Sequence, residues 1–554
     1  AYAMAELGVE PGDRIGVYSE NMAEYLITDF GAYANRCVMV PMYATASPSQ
    51  VEYIVNDAEV KVIFVGEQFQ YNHAFKVQSK SNVLSRLIIF DRNVVFNRED
   101  ETSMYFDDFL ATGENAHAQA TVNARMKQLK DTDLATIIYT SGTTGVPKGV
   151  MLLHSSYNEA FRIHDERLTK VTSKDVSMCF LPLTHIFEKT WSYYCIHKVV
   201  TIAVNKDPRK RQLTIKEVRP TLMSSVPRFW EKVYTGVNEQ INSSSKFMQK
   251  VFKHAIETGR RHNLDYRNEG IKAPLWLSMK FQFYKVTVFY LLKYVVGINK
   301  GNIFPCAGAP LSDNINTFLQ SVDIHIIYGY GLTETTATVT CFPFKGFKIG
   351  TVGTVMPDVE VKIGDNNEIL VKGATVMSGY YNLPEETANV FTADGYFRTG
   401  DAGYLTDKGE LVLTERIKDL YKTSNGKYIA PQMIETRLGE DKYIDMVAVI
   451  GDERKFVSGL IVPNYEALEE YAHEHAIAFS SREELVANEE INDLIYARVE
   501  LKQVAFTSFE KIKKFVLLPR AFTIEDGELT NTLKLRRKAI LEGYSKEIES
   551  MYVE

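Results

Sequence analysis

Short apolar runs alternate with amphipathic stretches along about the first 340 residues of the chain. The runs are RIGVYS, CVMVPMY, VKVIFVG, RLIIFD, LATIIYT, VVTIAV, TLMSSVP and IHIIYGYG. Continuous β-branched runs of this length, separated by amphipathic segments, are typical of buried parallel strands. The pattern therefore predicts an α/β fold of doubly wound layers, with helices covering the sheets.

The pattern changes after Thr351. VEVKIGDNNEILVKG and GELVLTERIKDL combine short strand-like runs with Asp-Asn-Asn and Asp-Lys-Gly turns, which indicate antiparallel hairpins in a small β unit. Beyond them, MVAVIGDERKFVSGLIVPN and several charged helical stretches are enough for a separate compact α+β module. We expect the domain boundary near 416–419.

Length, charge and cysteine content narrow the class of protein. The 554 residues are too many for one core and predict two or more domains. A net charge of −7 argues against a nucleic-acid binder drawn by bulk charge. The five cysteines form no CxxC pair, which favours a reducing compartment over a disulfide framework or a zinc site.

No signal sequence or apolar run long enough to span a membrane is recognisable in the sequence. We therefore expect a cytoplasmic protein. Ala1 lies within a helical pattern, so we also expect that an N-terminal segment precedes it in the full protein.

One segment differs in charge from the rest of the chain. Residues 235–300 hold eleven Lys and Arg against four Asp and Glu, and include the aromatic run WLSMKFQFYKVTVFYLLKYVV. A basic, aromatic, helical segment is typical of peripheral contact with an anionic membrane, here the inner face, through 246–300. The second interpretation is a solvated basic helix followed by a buried core helix.

The stretch YTSGTTGVPKGV, residues 139–150, is rich in Gly, Thr and Ser but is not a Walker A loop, because Pro147 and Gly149 break the required spacing. Its glycines and hydroxyls suit a loop that wraps a polyphosphate. A polar hairpin explains the same residues equally well.

Further motifs favour the phosphate-binding loop over the polar hairpin. YTSGTTGVPKGV, YGYGLTET, YFRTGDAG and ERIKDLYKTSNGKYIAP occur in this order and together resemble the adenylate-forming superfamily of acyl-CoA synthetases, luciferases and adenylation domains. LPLTHIFEK, VRPTLMSSVPRFWEKVY and the long basic insertion are most similar to the long-chain fatty-acyl-CoA synthetases. Tyr396 departs from that branch, which often has Trp there.

The resemblance implies a large N-terminal domain, residues 1–416, with a small β-barrel-like unit, and a small mobile domain, residues 417–554, that swings about a hinge at Lys418. It also implies the reaction: ATP activates a fatty acid to acyl-AMP with release of pyrophosphate, and CoA then accepts the acyl group. Mg²⁺ is the implied cofactor, and a homodimer is one possible assembly. Two alternatives are an adenylation enzyme that loads a carrier protein and a catalytically silent acyl or nucleotide binder.

The resemblance also assigns the site, residue by residue. Lys534, Glu334, Lys148 and His185 are the implied catalytic residues, with Glu334 the Mg²⁺ ligand; Trp230, His185 and Gly426 are on the acyl and CoA side. The implied ATP and AMP contacts are Thr140, Ser141, Gly142, Thr143, Thr144, Gly145, Lys148, Gly308, Ala309, Pro310, Tyr330, Gly331, Thr333, Asp401 and Arg416.

Plainer roles fit several of these residues when each is taken alone. Asp401 beside Gly400 suits an ordinary turn. His185 between apolar residues suits a core histidine. Trp230 suits a core tryptophan beneath the following helix. Lys534 and Gly426 suit a surface lysine and a turn glycine.

Overall fold

The computed structural model describes residues 1–140, 147–416, 421–423, 428–530 and 534–553, with the backbone alone at 415, 416, 422 and 428. Its strands, numbered in chain order, are β1 Arg14–Tyr18, β2 Val38–Met42, β3 Val60–Val65, β4 Arg86–Ile89, β5 Met104–Tyr105, β6 Leu134–Thr140, β7 Lys148–Leu153, β8 Val176–Cys179, β9 Thr201–Val204, β10 Phe304–Cys306, β11 Ile326–Tyr330, β12 Thr340–Cys341, β13 Thr354–Val355, β14 Glu360–Ile363, β15 Glu368–Lys372, β16 Gly379–Tyr380, β17 Phe397–Leu405, β18 Leu411–Arg416, β19 Tyr421–Lys422, β20 Tyr428–Ile429, β21 Ile444–Ile450, β22 Val457–Pro463 and β23 Ile512–Leu517.

The helices are α1 Tyr2–Glu6, α2 Ala23–Ala34, α3 Pro48–Asp57, α4 Gln68–Gln78, α5 Phe106–Thr112, α6 Ala116–Lys127, α7 His154–Arg167, α8 Ile186–His197, α9 Arg211–Val218, α10 Pro227–Asn242, α11 Lys246–Arg260, α12 Leu275–Tyr284, α13 Tyr290–Val296, α14 Asp313–Ser321, α15 Pro384–Asn389, α16 Pro431–Leu438, α17 Tyr465–Glu474, α18 Arg482–Ala487, α19 Glu489–Lys502, α20 Arg537–Gly543 and α21 Ser545–Tyr552. Short 3₁₀ turns are Pro208–Lys210, Thr333–Thr335 and Asp365–Asn367, and π-helical turns are Arg261–Asn268 and Lys285–Phe289.

The largest sheet has eight strands in the order β16-β7-β6-β2-β1-β3-β4-β5. From β6 to β5 the pairs are parallel, whereas β6 and β7 form an antiparallel hairpin in which Thr140 is opposite Lys148. The apolar runs RIGVYS, CVMVPMY, VKVIFVG, RLIIFD and LATIIYT supply β1, β2, β3, β4 and β6, which confirms the predicted α/β pattern.

A second sheet, β10-β11-β12-β13, carries the IHIIYGYG strand, and β10 and β11 in it are parallel. TLMSSVP was wrongly predicted to be a strand, because it forms only isolated bridges at Leu222 and Ser225. Its serine hydroxyls donate instead to Glu188 and to the Pro305 carbonyl, and Pro227 begins α10 directly afterwards.

The predicted antiparallel β unit is the curled sheet β14-β15-β17-β18. The smaller C-terminal domain follows, with the sheet β21-β22-β23 and a hydrophobic core of its own drawn from residues 421–551. Polar contacts join it to the large domain: Arg228 forms an ion pair with Asp445, and the Ser312 hydroxyl donates a hydrogen bond to Glu440.

The basic segment is helical, as predicted, but only one face of its second half is buried, with Leu277, Phe281 and Phe289 in the interior. Along α12 and the following turn, Leu275, Met279 and Phe283 are 76%, 67% and 61% exposed. The aromatic run is therefore a core helix on one face and an exposed apolar surface on the other. Within the part of the chain that the structure describes, no helix is long and apolar enough to cross a membrane.

Candidate active site

The predicted nucleotide contacts come together where two sheets meet. Tyr330 is the last residue of β11, and its hydroxyl donates a 2.6 Å hydrogen bond to Oδ2 of Asp401 on β17. Asp401 is in turn paired across the sheet with Arg416 on β18. An aromatic ring and a carboxylate, which the sequence separates by 71 residues, are thus in direct contact.

The loop after β10 lies beside the end of β11, because the carboxyl ends of neighbouring parallel strands share one edge of a sheet. Gly308 in this loop has a φ of +91°, which favours glycine, and a Cβ there would meet no atom within 4 Å. The carbonyl of Ala309 accepts a 3.1 Å hydrogen bond from Tyr328. At Gly331 a Cβ would lie 1.5 Å from the Ala337 carbonyl oxygen, so only glycine fits there.

Glu334, the predicted metal ligand, and Lys148, a predicted ATP contact, both lie against Tyr380. Glu334, in the 3₁₀ turn Thr333–Thr335, accepts a 3.0 Å hydrogen bond from the Tyr380 hydroxyl. The Lys148 ammonium is 5.2 Å from the Tyr380 ring centroid and pairs with Glu386 at 2.5 Å. Burial, together with the charges of Glu334 and Glu386, raises the pKa of Tyr380, so its hydroxyl stays protonated and donating at neutral pH.

His185 and Lys534 connect the two domains electrostatically. His185 caps α8, where its Nδ1 accepts a 3.2 Å hydrogen bond from the amide of Phe187. Burial, and then the positive charge of Lys534, lower the pKa of His185 to about 4. The imidazole is therefore neutral at physiological pH, and Lys534 of the small domain is close enough to act on it.

An apolar cavity lies in the large domain, close to the start of α8. Its walls include Phe187 and Trp191 of α8, Cys306 at the end of β10, Ala307 after it, and Gly329 and Tyr330 of β11. A slot with these side chains, next to His185 and to the predicted nucleotide contacts, suits the apolar part of an activated acid.

Known proteins agree with this arrangement. A family model described as "AMP-binding enzyme" matches residues 1–381, and "AMP-binding enzyme C-terminal domain" matches 418–554. The chain belongs to the AMP-binding enzyme family. Within the family, it is 32% identical to the long-chain-fatty-acid–CoA ligase FadD15 of Mycobacterium tuberculosis, over 100% of this chain and 90% of that one. It is 29% identical to long chain acyl-CoA synthetase 3 of Arabidopsis thaliana, over 99% of this chain and 84% of that one.

Solved structures of other AMP-binding enzymes share the fold. The A domain of a carboxylic acid reductase from Segniliparus rugosus, in complex with AMP and a co-purified carboxylic acid, matches with a TM-score of 0.72 and 21% identity, over 100% of this chain and 85% of that one. The adenylation domain of a carboxylate reductase from Mycobacterium chelonae matches with a TM-score of 0.74 and 21% identity, over 100% of this chain and 82% of that one.

Trp230, predicted on the acyl side, is fully buried in this AMP-binding enzyme. Its indole nitrogen donates a 2.8 Å hydrogen bond to Ser225, and its ring meets Phe229 and Phe304 edge-on. Its role on the acyl side of the site stays a prediction.

Glu188 is a residue of the site region that the sequence reasoning missed, although it is within LPLTHIFEK. Its buried carboxyl accepts hydrogen bonds from the Ser224 hydroxyl at 2.6 Å and from the Leu181 amide at 3.2 Å. Burial raises its pKa to about 7. Glu188 thus ties the start of α8, next to His185, to the TLMSSVP segment. A charged residue one helical turn after His185 was the available signal.

Glu386, Phe187, Trp191 and Cys306 were also missed. Glu386 lies in an ordinary acidic first turn of α15, and the apolar wall residues resemble any core residues, so no sequence pattern pointed to them. Several predicted residues lie outside the described part of the chain: Ser141, Gly142, Thr143, Thr144, Gly145, Lys418 and Gly426. For Arg416 only the backbone is described.

Proposed function

We propose that this protein activates a long-chain fatty acid with ATP, forming acyl-AMP and pyrophosphate, and then transfers the acyl group to CoA. The observation that carries the proposal is that Tyr330, which lines the apolar cavity, donates a hydrogen bond to Asp401. The hydrogen bond between Tyr380 and Glu334 and the effect of the Lys534 charge on His185 support it. The full-length similarity to long-chain acyl-CoA synthetases supports the fatty acid as substrate.

The first half-reaction needs positioning and charge neutralisation rather than a nucleophilic side chain. The carboxylate oxygen of the fatty acid attacks the α-phosphorus of ATP, and the bond to the bridging oxygen breaks as pyrophosphate leaves. Lys148, with the loop that precedes it, would neutralise the leaving group, and Lys534 would neutralise charge at the α-phosphate and the attacking carboxylate. His185, neutral because its pKa is about 4, would line the acyl side without adding a charge.

Magnesium fits the side chains that are present. Mg²⁺ is usually bound by one or two carboxylates together with substrate phosphates. Among the described residues no group of three or more His, Cys, Asp or Glu side chains could hold a metal without such phosphates. Glu334, a carboxylate oriented by the Tyr380 hydroxyl, would be the protein's ligand, and the ion would supply charge neutralisation at the phosphates.

The second half-reaction places a thiol at the acyl carbon and needs different surroundings. We propose that residues 1–416 and 417–554 are the two moving bodies and that Lys418 is their hinge, so that Lys534 leaves the site and the segment around Gly426 approaches it. The charge of Lys534 on His185 corresponds to the adenylating arrangement.

We also propose peripheral contact with an anionic membrane through 246–300. Twelve large apolar side chains within 247–295 are exposed, from Phe247 to Val295, beside the basic residues of the same helices. The Lys250→Glu/Lys253→Glu variant should bind phosphatidylserine vesicles more weakly than wild type at low salt, with unchanged turnover of a soluble short acid. Equal vesicle binding by both proteins would contradict this contact.

The function is tested by steady-state pyrophosphate release against a panel of carboxylic acids, with and without CoA. We expect release that depends on long-chain acids, and acyl-CoA as the product when CoA is added. Release that is fast without CoA but gives no thioester when CoA is present would favour an enzyme that loads a carrier protein.

A further inference from the structure

Two cavities follow one another along β11. The apolar cavity described above is lined by Leu168, Ile327, Tyr330 and Cys341, among others. A second cavity is lined by the neighbouring residues of the same three segments, Lys170, His325 and Phe344, and the two share Ile327. His325 and Tyr330 are five residues apart on an extended strand, a span of about 16 Å. An extended acyl chain that starts at Tyr330 and follows this strand therefore ends near the second cavity.

The second cavity is cationic, unlike the first. Lys170, Arg267, His325 and Lys345 all line it. Neither Lys170 nor Lys345 forms an ion pair with another described residue; the Lys170 ammonium instead lies 4.4 Å from the ring centroid of Phe344. Arg267 belongs to the basic insertion, so that insertion supplies part of the wall.

The neighbouring carboxylate does not cancel these charges. Asp323 is already shared by Arg267 at 3.1 Å, Lys285 at 3.0 Å and Lys293 at 3.6 Å. Burial lowers the pKa of Lys170, and the nearby charges of Arg267 and Lys345 lower it further, against the opposing charge of Asp323. An added anion would relieve this repulsion. Lys170 and Lys345 are also exposed, so a charged group there would keep part of its hydration.

We propose that the second cavity binds an anionic group at the far end of the acyl substrate, and that long-chain α,ω-dicarboxylic acids are substrates of this protein. The inference rests on the proposed function. One carboxylate of the diacid reacts with ATP beside Tyr330, with the same release of pyrophosphate; the other stays ionised beside Lys170 and Lys345 and does not react. The final product is an ω-carboxyacyl-CoA.

The test compares hexadecanedioic acid with hexadecanoic acid, measuring kcat/KM for acyl-CoA formation and identifying products by mass. Both acids should be converted by wild type. In Lys170→Met and in Lys345→Met, kcat/KM for the diacid should fall by about fivefold while that for the monoacid stays the same, since a partly exposed ion pair is worth up to about 1 kcal/mol. Lys170→Arg should restore the diacid activity, and Lys348→Met, an exposed lysine outside the cavity, is the matched control.

The possible outcomes separate the two proposals. If the monoacid is converted and the diacid is not, or if the lysine variants affect both acids equally, the inference about the second cavity is overturned and the proposed function stands. If neither acid is converted, the proposed function itself fails. Inhibition by inorganic phosphate of the diacid reaction alone would support the anion site; equal inhibition of both reactions would show that phosphate acts elsewhere and that the second cavity does not bind it.

Discussion

The hydroxyl of Tyr330 donates a 2.6 Å hydrogen bond to the carboxylate of Asp401. This bond joins the end of β11 to β17 in a different sheet, and it fixes one oxygen of a carboxylate that we propose binds the ribose. The position of that carboxylate therefore depends on both sheets.

Asp401→Asn should weaken nucleotide binding more than Tyr330→Phe does. Hydrogen bonds to a charged group contribute about 1.5–3 kcal/mol, so Asp401→Asn should raise the KM for ATP by roughly tenfold to a hundredfold. Tyr330→Phe keeps the ring and removes only the hydroxyl, and should raise it by about fivefold, corresponding to about 1 kcal/mol. The control is Tyr404→Phe, because Tyr404 lies on β17 with Asp401 but is 52% exposed; this variant should leave the KM for ATP unchanged. A normal KM in Asp401→Asn would remove Asp401 from the site.

Glu334→Gln should raise the Mg²⁺ concentration needed for half-maximal rate and slow acyl-AMP formation by about a hundredfold, the usual effect of losing one preorganised electrostatic group. Tyr380→Phe, which removes one hydrogen bond to the carboxylate but keeps the carboxylate, should have a smaller effect in the same direction. The exposed neighbour Glu385→Gln should behave as wild type. Mg²⁺ titrations of the initial rate measure all three, and an unchanged Mg²⁺ requirement in Glu334→Gln would contradict the assignment.

Lys534→Ala should raise the pKa of His185, because the variant removes a positive charge that opposes protonation of the imidazole. NMR titration of histidine-labelled protein measures this pKa directly. Lys538→Ala, an exposed lysine on α20, should leave it unchanged. If Lys534→Ala also left it unchanged, Lys534 would not be beside His185 in solution.

Glu188 should make the protein less stable as the pH rises. Its folded pKa of about 7 is above its ordinary value of 4.5, so the folded state holds the proton more tightly, and stability is lost as the pH rises from about 4.5 to 7. Glu188→Gln removes this loss, which is about 3 kcal/mol at about 1.4 kcal/mol per pKa unit. The melting temperature of the variant, relative to wild type, should therefore increase between pH 5 and pH 8.

The matched control for Glu188 is Glu217→Gln, an exposed residue of α9. Its melting temperature should follow that of wild type at both pH values. A difference between Glu188→Gln and wild type that does not vary with pH would contradict the raised pKa of Glu188.

Much of the fold could be predicted because burial leaves a clear pattern. VKVIFVG became β3 and LATIIYT became β6, since a strand covered on both faces must be apolar throughout. TLMSSVP was also predicted to be a strand but forms only isolated bridges; its Ser224 hydroxyl donates to Glu188, 36 residues away in sequence, and its Pro227 begins α10. The exposed face of α12 was left open by the sequence, because an apolar run does not reveal whether anything covers it.

The site could be predicted only where a motif carried it. Tyr330, Glu334 and Asp401 belong to long motifs, so they could be predicted as site residues from the sequence, and their roles stay predictions. Glu386 and the cationic second cavity are products of tertiary packing: Lys170, Arg267 and Lys345 are far apart in the chain and are brought together only by the folding of the insertion against β11.

In the proposed reaction, acyl-AMP is formed first and is then consumed by CoA. The most direct measurement is a single-turnover quench experiment with α-labelled ATP, Mg²⁺ and a long-chain fatty acid. Without CoA, labelled acyl-AMP should accumulate together with one equivalent of pyrophosphate; on addition of CoA it should decay to AMP as acyl-CoA appears at the same rate. Formation of ADP and phosphate, or of acyl-CoA without a labelled acyl-AMP intermediate, would contradict the account.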